Sequence, residues 1–204
     1  MLGSDTTLGA GHMVHRTRRA TYQDILEAPE NKIAELIDGE LILSPWPTLA
    51  HSHCLVALSA QIGSAFWLGR SGPGAWLILN KPELHFDQRE TVLVPDITGW
   101  RRERMIELPT GAGVELAPDW ACEILSPATA QLDRYTKLPL YAAQGVPWLW
   151  LIDVEGRTLE IHRREPEGYL FLGVFTGALK VRAPPFDTIE LDLSLLWGDV
   201  PAHP

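Results

Sequence analysis

Four charged residues stand where a charge is expensive. Glu35 lies within Ile33-Ala34-Glu35-Leu36-Ile37, and Asp96 ends the run Thr91-Val92-Leu93-Val94-Pro95-Asp96. Glu123 sits inside Trp120-Ala121-Cys122-Glu123-Ile124-Leu125, and Lys137 follows on the next segment. An ionised carboxylate in a buried strand costs several kcal/mol unless a cation or hydrogen-bond donors meet it. Three carboxylates and a lysine converging on one sheet are equipment for binding a hard divalent cation. Mg²⁺ takes few carboxylates, keeps several waters and leaves room for phosphate oxygens. Such an ion acidifies its bound water and neutralises charge on a phosphoryl group. A neighbouring lysine can position that water or stabilise the pentavalent transition state.

The elements that must position these groups follow from patterning. Tyr22–Leu26 is a short helix capped by Thr21. Residues 33–43 form a hairpin turning at Asp38-Gly39, because type I′ turns need positive φ. Thr48 opens a helix with Leu55, Leu58, Ile62, Ala65 and Phe66 on one stripe, ending near Gly69. Residues 75–86 and 91–97 read as two strands joined by the polar turn Asp87-Gln88-Arg89-Glu90, and residues 101–113 as a loop. In the centre, Trp120–Leu125 and Trp148–Asp153 are continuous apolar runs of strand length, and residues 128–144 between them are helical up to Gly145. That is a βαβ unit, expected to be parallel with a right-handed crossover. Pro139 should kink or split its helix near Lys137. Short strands follow at residues 159–163, 169–174, 180–181 and 190–193. The expected class is α/β, a mixed sheet with one central right-handed βαβ unit flanked by helices and antiparallel hairpins.

Composition narrows the function. The 204 residues suffice for one sizeable domain, taken as residues 15–204. Residues 1–14 carry no apolar period and are expected to be a disordered tail or tag remnant, with Gly11-His12-Met13 as the junction. No apolar run approaches the ~20 residues of a membrane span. Cys54 and Cys122 both lie in apolar stretches and are expected to be buried free thiols of a cytoplasmic protein. The net charge of −9 argues against a broad electrostatic footprint for nucleic acid, although not against a local basic patch.

An ordered series of motifs carries a resemblance. Val94-Pro95-Asp96, Glu123-Ile124-Leu125-Ser126-Pro127, the stretch from Asp133 to Tyr141 and the stretch from Gly145 to Asp153 resemble the Uma-two family of putative restriction endonucleases. Glu35-Leu36-Ile37-Asp38-Gly39-Glu40 is similar to the opening motif of that family, and the resemblance runs from about Thr21 to His162. It implies membership of the PD-(D/E)xK nuclease superfamily, a restriction-endonuclease-like fold, and Mg²⁺- or Mn²⁺-dependent cleavage of phosphodiester bonds in nucleic acid, DNA first. By position, Asp96 matches the Asp of the Pro-Asp motif, Glu123 the second acid and Glu35 the upstream Glu. The usual superfamily lysine would stand at Leu125, and Lys137 on the following helix matches it instead. The implied roles are metal ligation by Asp96, Glu123 and the Ile124 carbonyl. Glu35 ligates directly, through water or at a second metal, and Lys137 orients or deprotonates the attacking water. Restriction-like folds often pair subunits, so a homodimer is expected.

Other readings stand beside these. Asp133 and Lys137 have the spacing of a surface helix ion pair, worth only ~0.3–0.5 kcal/mol. Arg101, Arg102 and Arg104 form the dense basic cluster nearest Asp96, either a solvated loop or a phosphate clamp. His51 could face a substrate, while His51 and His53 two apart on a helix point to different faces and make a poor zinc pair. Trp120, Trp148 and Trp150 are core candidates, and Glu40 is the runner-up to Glu35. The competing function is a catalytically inactive module of the same fold that binds nucleic acid or a protein partner, favoured by Leu125 and the acidic net charge. A glycosidase would leave Lys137 without a role.

Overall fold

The computed structural model describes residues 18–69 and 74–199. The tail expected over residues 1–14 lies outside the described residues. Helix α1 (Tyr22–Leu26) precedes strands β1 (Lys32–Ile37) and β2 (Glu40–Pro45). Asp38 and Gly39 both take positive φ, 53° and 78°, and set the register Ile37 opposite Glu40. Helix α2 (Leu49–Ile62) is capped by Thr48, whose hydroxyl accepts from the His51 backbone N–H. Its buried stripe is His51, Cys54, Leu58 and Ile62, continued by Ala65 and Phe66 in a π-helical turn over Gly63–Trp67. Leu58, Ile62, Ala65 and Phe66 lie on the expected stripe; Leu55 is only partly buried, and Cys54 and His51 extend the stripe in its place.

Each of the two strands expected over residues 75–86 and 91–97 is broken. The first becomes β3 (Trp76–Asn80) and β4 (Glu83–Phe86); the second becomes β5 (Thr91–Leu93) and β6 (Ile97–Arg101). The breaks fall at Lys81-Pro82 and at Val94-Pro95-Asp96, since proline cannot donate to a sheet ladder. Lys81 takes a positive φ of 49° at its corner. The chain thereby passes between two sheets. A five-stranded sheet has the order β2-β1-β5-β4-β7, with β7 spanning Gly113–Val114 at the end of the expected loop. A six-stranded sheet has the order β11-β10-β9-β8-β6-β3. Here β8 is Trp120–Leu125, β9 is Trp148–Asp153, β10 is Thr158–Glu165 and β11 is Gly168–Thr176. A small pair, β12 (Lys180–Val181) and β13 (Leu191–Asp192), completes the strands described.

Strands β8 and β9 are parallel neighbours, as a βαβ unit requires. The helix between them begins at residue 130, after a turn in which the Ser126 carbonyl accepts from the Thr129 and Ala130 N–H groups. It is split as Pro139 demands, with a π-helical stretch over Leu132–Lys137 and then α3 (Leu138–Ala143), which carries proline in its first turn. Alternation along β8 divides the core. Trp120, Cys122 and Ile124 pack with α2 and Phe186, while Ala121 and Leu125 pack with Tyr141 and Val146 on the other face. Trp120 and Trp150 are fully buried and Trp148 partly so. Glu123 shares the face of Ala121 and Leu125, and so turns toward the helix that carries Lys137.

Candidate active site

Antiparallel pairing of β6 with β8 sets Ile97 opposite Cys122. One step further along the same register brings Asp96 beside Glu123. Asp96 stands where the chain leaves one sheet for the other, next to the second crossing at Lys81, whose N–H donates to the Asp96 carbonyl at 3.0 Å. Both crossings open onto a cavity of about 280 Å³. Glu35 from β1, His51 from α2, Asp133 and Lys137 from the π-helical stretch, and the backbone around Ile124 complete its polar wall.

Two networks share this wall. In the first, the Asp96 carboxylate takes three donors. Lys81 Nζ lies 2.7 Å from Oδ1, His51 Nε2 lies 3.0 Å from Oδ2, and the Ile124 N–H donates to Oδ2 at 2.8 Å. Burial works to raise the Asp96 carboxyl, but the His51 hydrogen bond and the Lys81 charge outweigh it and hold the group below its ordinary value. In the second, Lys137 is 2% exposed and its ammonium lies 2.6 Å from Glu123 Oε1, 2.9 Å from Glu35 Oε1 and 3.5 Å from Asp133 Oδ1. Burial opposes its charge, yet the surrounding carboxylates, Glu123 foremost, raise it well above the usual lysine range. The carboxylates around it favour its ammonium form, which acts here as a hydrogen-bond donor.

Glu123 is the strained member. Burial pushes its carboxyl up to about 8, against the pull of Lys137. The Tyr141 hydroxyl donates to the same Oε1 at 2.6 Å. Glu35 is steadied by the Val94 N–H, which donates to Oε1 at 2.7 Å. Asp133 is also raised by burial, despite Lys137.

The sequence-derived residues thus divide into two groups. Asp96, Glu123, Glu35, Lys137, Ile124 and His51 all line one cavity. The Asp133–Lys137 pair is buried within the site, with side chains only 5% and 3% exposed, so the surface ion-pair reading does not hold. Arg101, Arg102 and Arg104 are exposed at the far end of β6, about 16 Å of strand from Asp96. Arg101 lies over the Trp76 ring, and Arg104 pairs with Asp119 at 2.8 Å. His53 bonds the Leu195 carbonyl and takes no part in the site. Glu40 pairs with Ile37 at the hairpin end and is absent from the cavity wall. Lys81 and Tyr141 were missed from sequence. Their signals were present, namely a proline directly after Lys81 inside an apparent strand, and Tyr141 one helical turn beyond Lys137.

Among the described residues, no three His, Cys, Asp or Glu side chains form a ready-made metal cluster. Two carboxylates and a backbone carbonyl nonetheless match in kind a cation that binds few protein oxygens and retains its waters. Leu125, on the same strand face as Glu123, packs into the core, and the ammonium of Lys137 reaches Glu123 from the helix instead.

Comparison with known proteins agrees with this architecture. No match is found among curated proteins. A solved structure of a putative nuclease belonging to DUF820, from Anabaena variabilis, is similar over 87% of this chain and 97% of that one. The sequence identity is 26% and the TM-score 0.69, and the shared fold is restriction-endonuclease-like. The family model for Uma2, described as putative restriction endonuclease, matches residues 19–194. With the fold, the Pro-Asp corner and the helix-borne lysine all lying inside that span, the chain belongs to the Uma2 family.

Proposed function

We propose that the protein is a metal-dependent endonuclease that hydrolyses phosphodiester bonds of nucleic acid, DNA first. The observation that carries this reading is the buried Lys137 ammonium held by Glu35 and Glu123 in the cavity that also contains Asp96. Mg²⁺ or Mn²⁺ would be held by Asp96, Glu123 and the Ile124 carbonyl, where it would supply Lewis-acid activation of the phosphate and an acidified water. Lys137 orients the attacking water and offers positive charge to the phosphoryl oxygens. Its raised pKa favours that role over proton abstraction. Glu35 and Asp133 hold the lysine in place. The bond formed joins water oxygen to phosphorus; the bond broken releases a sugar oxygen, which takes up a proton. A homodimer would bring two such centres to one substrate. The buried free thiols Cys54 and Cys122 suit a reducing cytoplasm.

A second reading has its own support. Lys81 and His51 already occupy both oxygens of Asp96, which would suit a module of this fold that binds without cutting. One experiment separates the two. Purified protein is incubated with plasmid and oligonucleotide substrates in Mg²⁺, Mn²⁺ or chelator, and Mn²⁺ binding is followed by calorimetry. Metal-dependent cleavage is expected, with both cleavage and Mn²⁺ binding lost in Asp96→Ala and Glu123→Ala. Cleavage that survives the chelator overturns the metal mechanism. Binding of nucleic acid without cleavage under any metal favours the second reading.

A further inference from the structure

The cavity that holds Asp96 and Glu123 has an outer wall without a part in hydrolysis. It is formed by Ile33, Pro45, Trp46 and Pro47 with Pro127 and Ala128, all apolar. Trp46 is 58% exposed there. A tryptophan that open on the rim of a polar site has apolar area to offer a ligand. Its ring is anchored, because the indole N–H donates to the Glu30 carbonyl at 3.3 Å and prolines on both sides restrict the backbone. The same short connection then runs through Thr48 into His51, which bonds Asp96. Trp46 and Asp96 thus line one cavity, joined by this short connection.

Among the described residues, the charges around this cavity do not favour tracking a duplex by its phosphates. The two lysines of the cavity wall are already paired with carboxylates. The arginine cluster lies at the other end of β6, and the chain carries a net charge of −9. Few phosphates can be neutralised here, so backbone attraction contributes little. Base contacts must then carry more of the affinity. A base inside a duplex has both faces covered by its neighbours, whereas an unpaired base presents a face to an aromatic ring. A cavity of about 280 Å³ is of small-ligand size, the scale of a single unpaired nucleotide.

We infer that Trp46 is a stacking platform for an unpaired nucleobase beside the scissile phosphate, which makes single-stranded nucleic acid the substrate class. This inference rests on the nuclease reading above and narrows it. Stacking of this kind is worth roughly 5- to 150-fold in affinity per base.

The test uses the full chain in Ca²⁺ with labelled single-stranded DNA, the matching duplex, and single strands carrying one abasic position. Trp46→Ala should weaken single-strand binding at least 5-fold, while Trp46→Phe retains most of it. Wild-type protein should prefer the single strand to the duplex. One abasic position should reproduce the loss in wild type and add nothing in Trp46→Ala. The indole fluorescence lost in Trp46→Ala should be the part that intact single strands quench. Equal binding by wild type and Trp46→Ala, or an equal loss on the duplex, overturns the stacking platform. If that happens while metal-dependent cleavage persists, the nuclease reading stands and only the substrate inference falls. Absence of both binding and cleavage for every nucleic acid overturns both.

Discussion

Replacing Lys137 with methionine tests the centre most directly. Methionine keeps the length of the stem and removes the cation from Glu35, Glu123 and Asp133, which lie 2.6–3.5 Å from it with side chains at most 5% exposed. Deleting one partner of a buried ion pair costs about 3–5 kcal/mol, because the other charge is left uncompensated. Glu123 softens that cost, since with its carboxyl raised to about 8 it already carries a proton at pH 7 and leaves no bare charge behind. The lower end, about 3 kcal/mol, is therefore expected, which lowers Tm by roughly 6–12 °C in a chain of this size. Scanning calorimetry in chelator at pH 7 measures it. A second substitution, Glu35→Gln, should recover part of the loss in the Lys137→Met background although it destabilises the wild type. That reversal of sign would show coupling, not two separate defects. Mn²⁺ should stabilise Lys137→Met more than the wild type, because the ion restores a cation among the carboxylates. Cleavage by the folded, metal-loaded variant should fall by about 10²-fold or more. A variant that melts within a degree of wild type in chelator, or cleaves at the wild-type rate, refutes the central role of this ammonium.

The remaining predictions concern pH and assembly. Glu123 has an ordinary pKa of 4.5 and is raised to about 8 in the folded state, so folding takes up a proton between those values. Its contribution to stability is full below about pH 4.5 and is lost as the pH rises toward 8. Melting in chelator should show this slope, and Glu123→Gln should flatten it. Mn²⁺ must displace that proton, so calorimetric affinity should increase about tenfold per pH unit up to about pH 8. The homodimer expectation is tested at β11, the edge of the six-stranded sheet, where Leu170, Phe171, Leu172 and Val174 are exposed and no residue is charged. Such an edge pairs readily with another strand, so the expected homodimer should form there. Light scattering should find a dimer in wild type and a monomer in Phe171→Lys/Val174→Lys; an unchanged mass in the variant, or a wild-type monomer, rejects this edge.

What could be read from sequence was what depends on local pattern. The Asp38-Gly39 hairpin and the parallel pair around the central helix follow from turn chemistry and apolar runs, which act over a few residues. Asp96, Glu123, Glu35 and Lys137 stood out because a charge among apolar neighbours is costly wherever it is buried. The strand breaks at Lys81 and Asp96 were not read, because residues 75–86 and 91–97 look continuous in hydrophobicity. Only Pro82 and Pro95 betray that the ladder cannot continue. Without the break, Lys81 belongs to a strand interior, and nothing indicates that its ammonium reaches Asp96. Tyr141 was hidden for another reason. Its ring belongs to the apolar core and only its hydroxyl belongs to the site.

The helix-borne lysine explains why β8 can end in Leu125. A lysine two residues after Glu123 would share its face, but would also place a second charge in the apolar contact that Leu125 makes with Tyr141 and its neighbours. Moving the cation to the helix keeps that contact dry. It also makes the reach of the ammonium depend on the path of the helix. Pro139 cannot donate to the carbonyl of Tyr135, and its ring crowds a regular α-turn there. The π-helical stretch from Leu132 to Lys137 widens the turn just before the proline. Lys137 and Tyr141, four residues apart, both reach Glu123 Oε1 from this side, and Asp133, four residues earlier, meets Lys137. Pro139, expected to split the helix near Lys137, is on this account the residue that aims Lys137. Pro139→Ala should let the helix relax toward regular α-geometry, raise its intrinsic propensity, and still weaken the site. A more stable protein with slower cleavage is the expected pair of results, and unchanged cleavage would separate the π-helical turn from function.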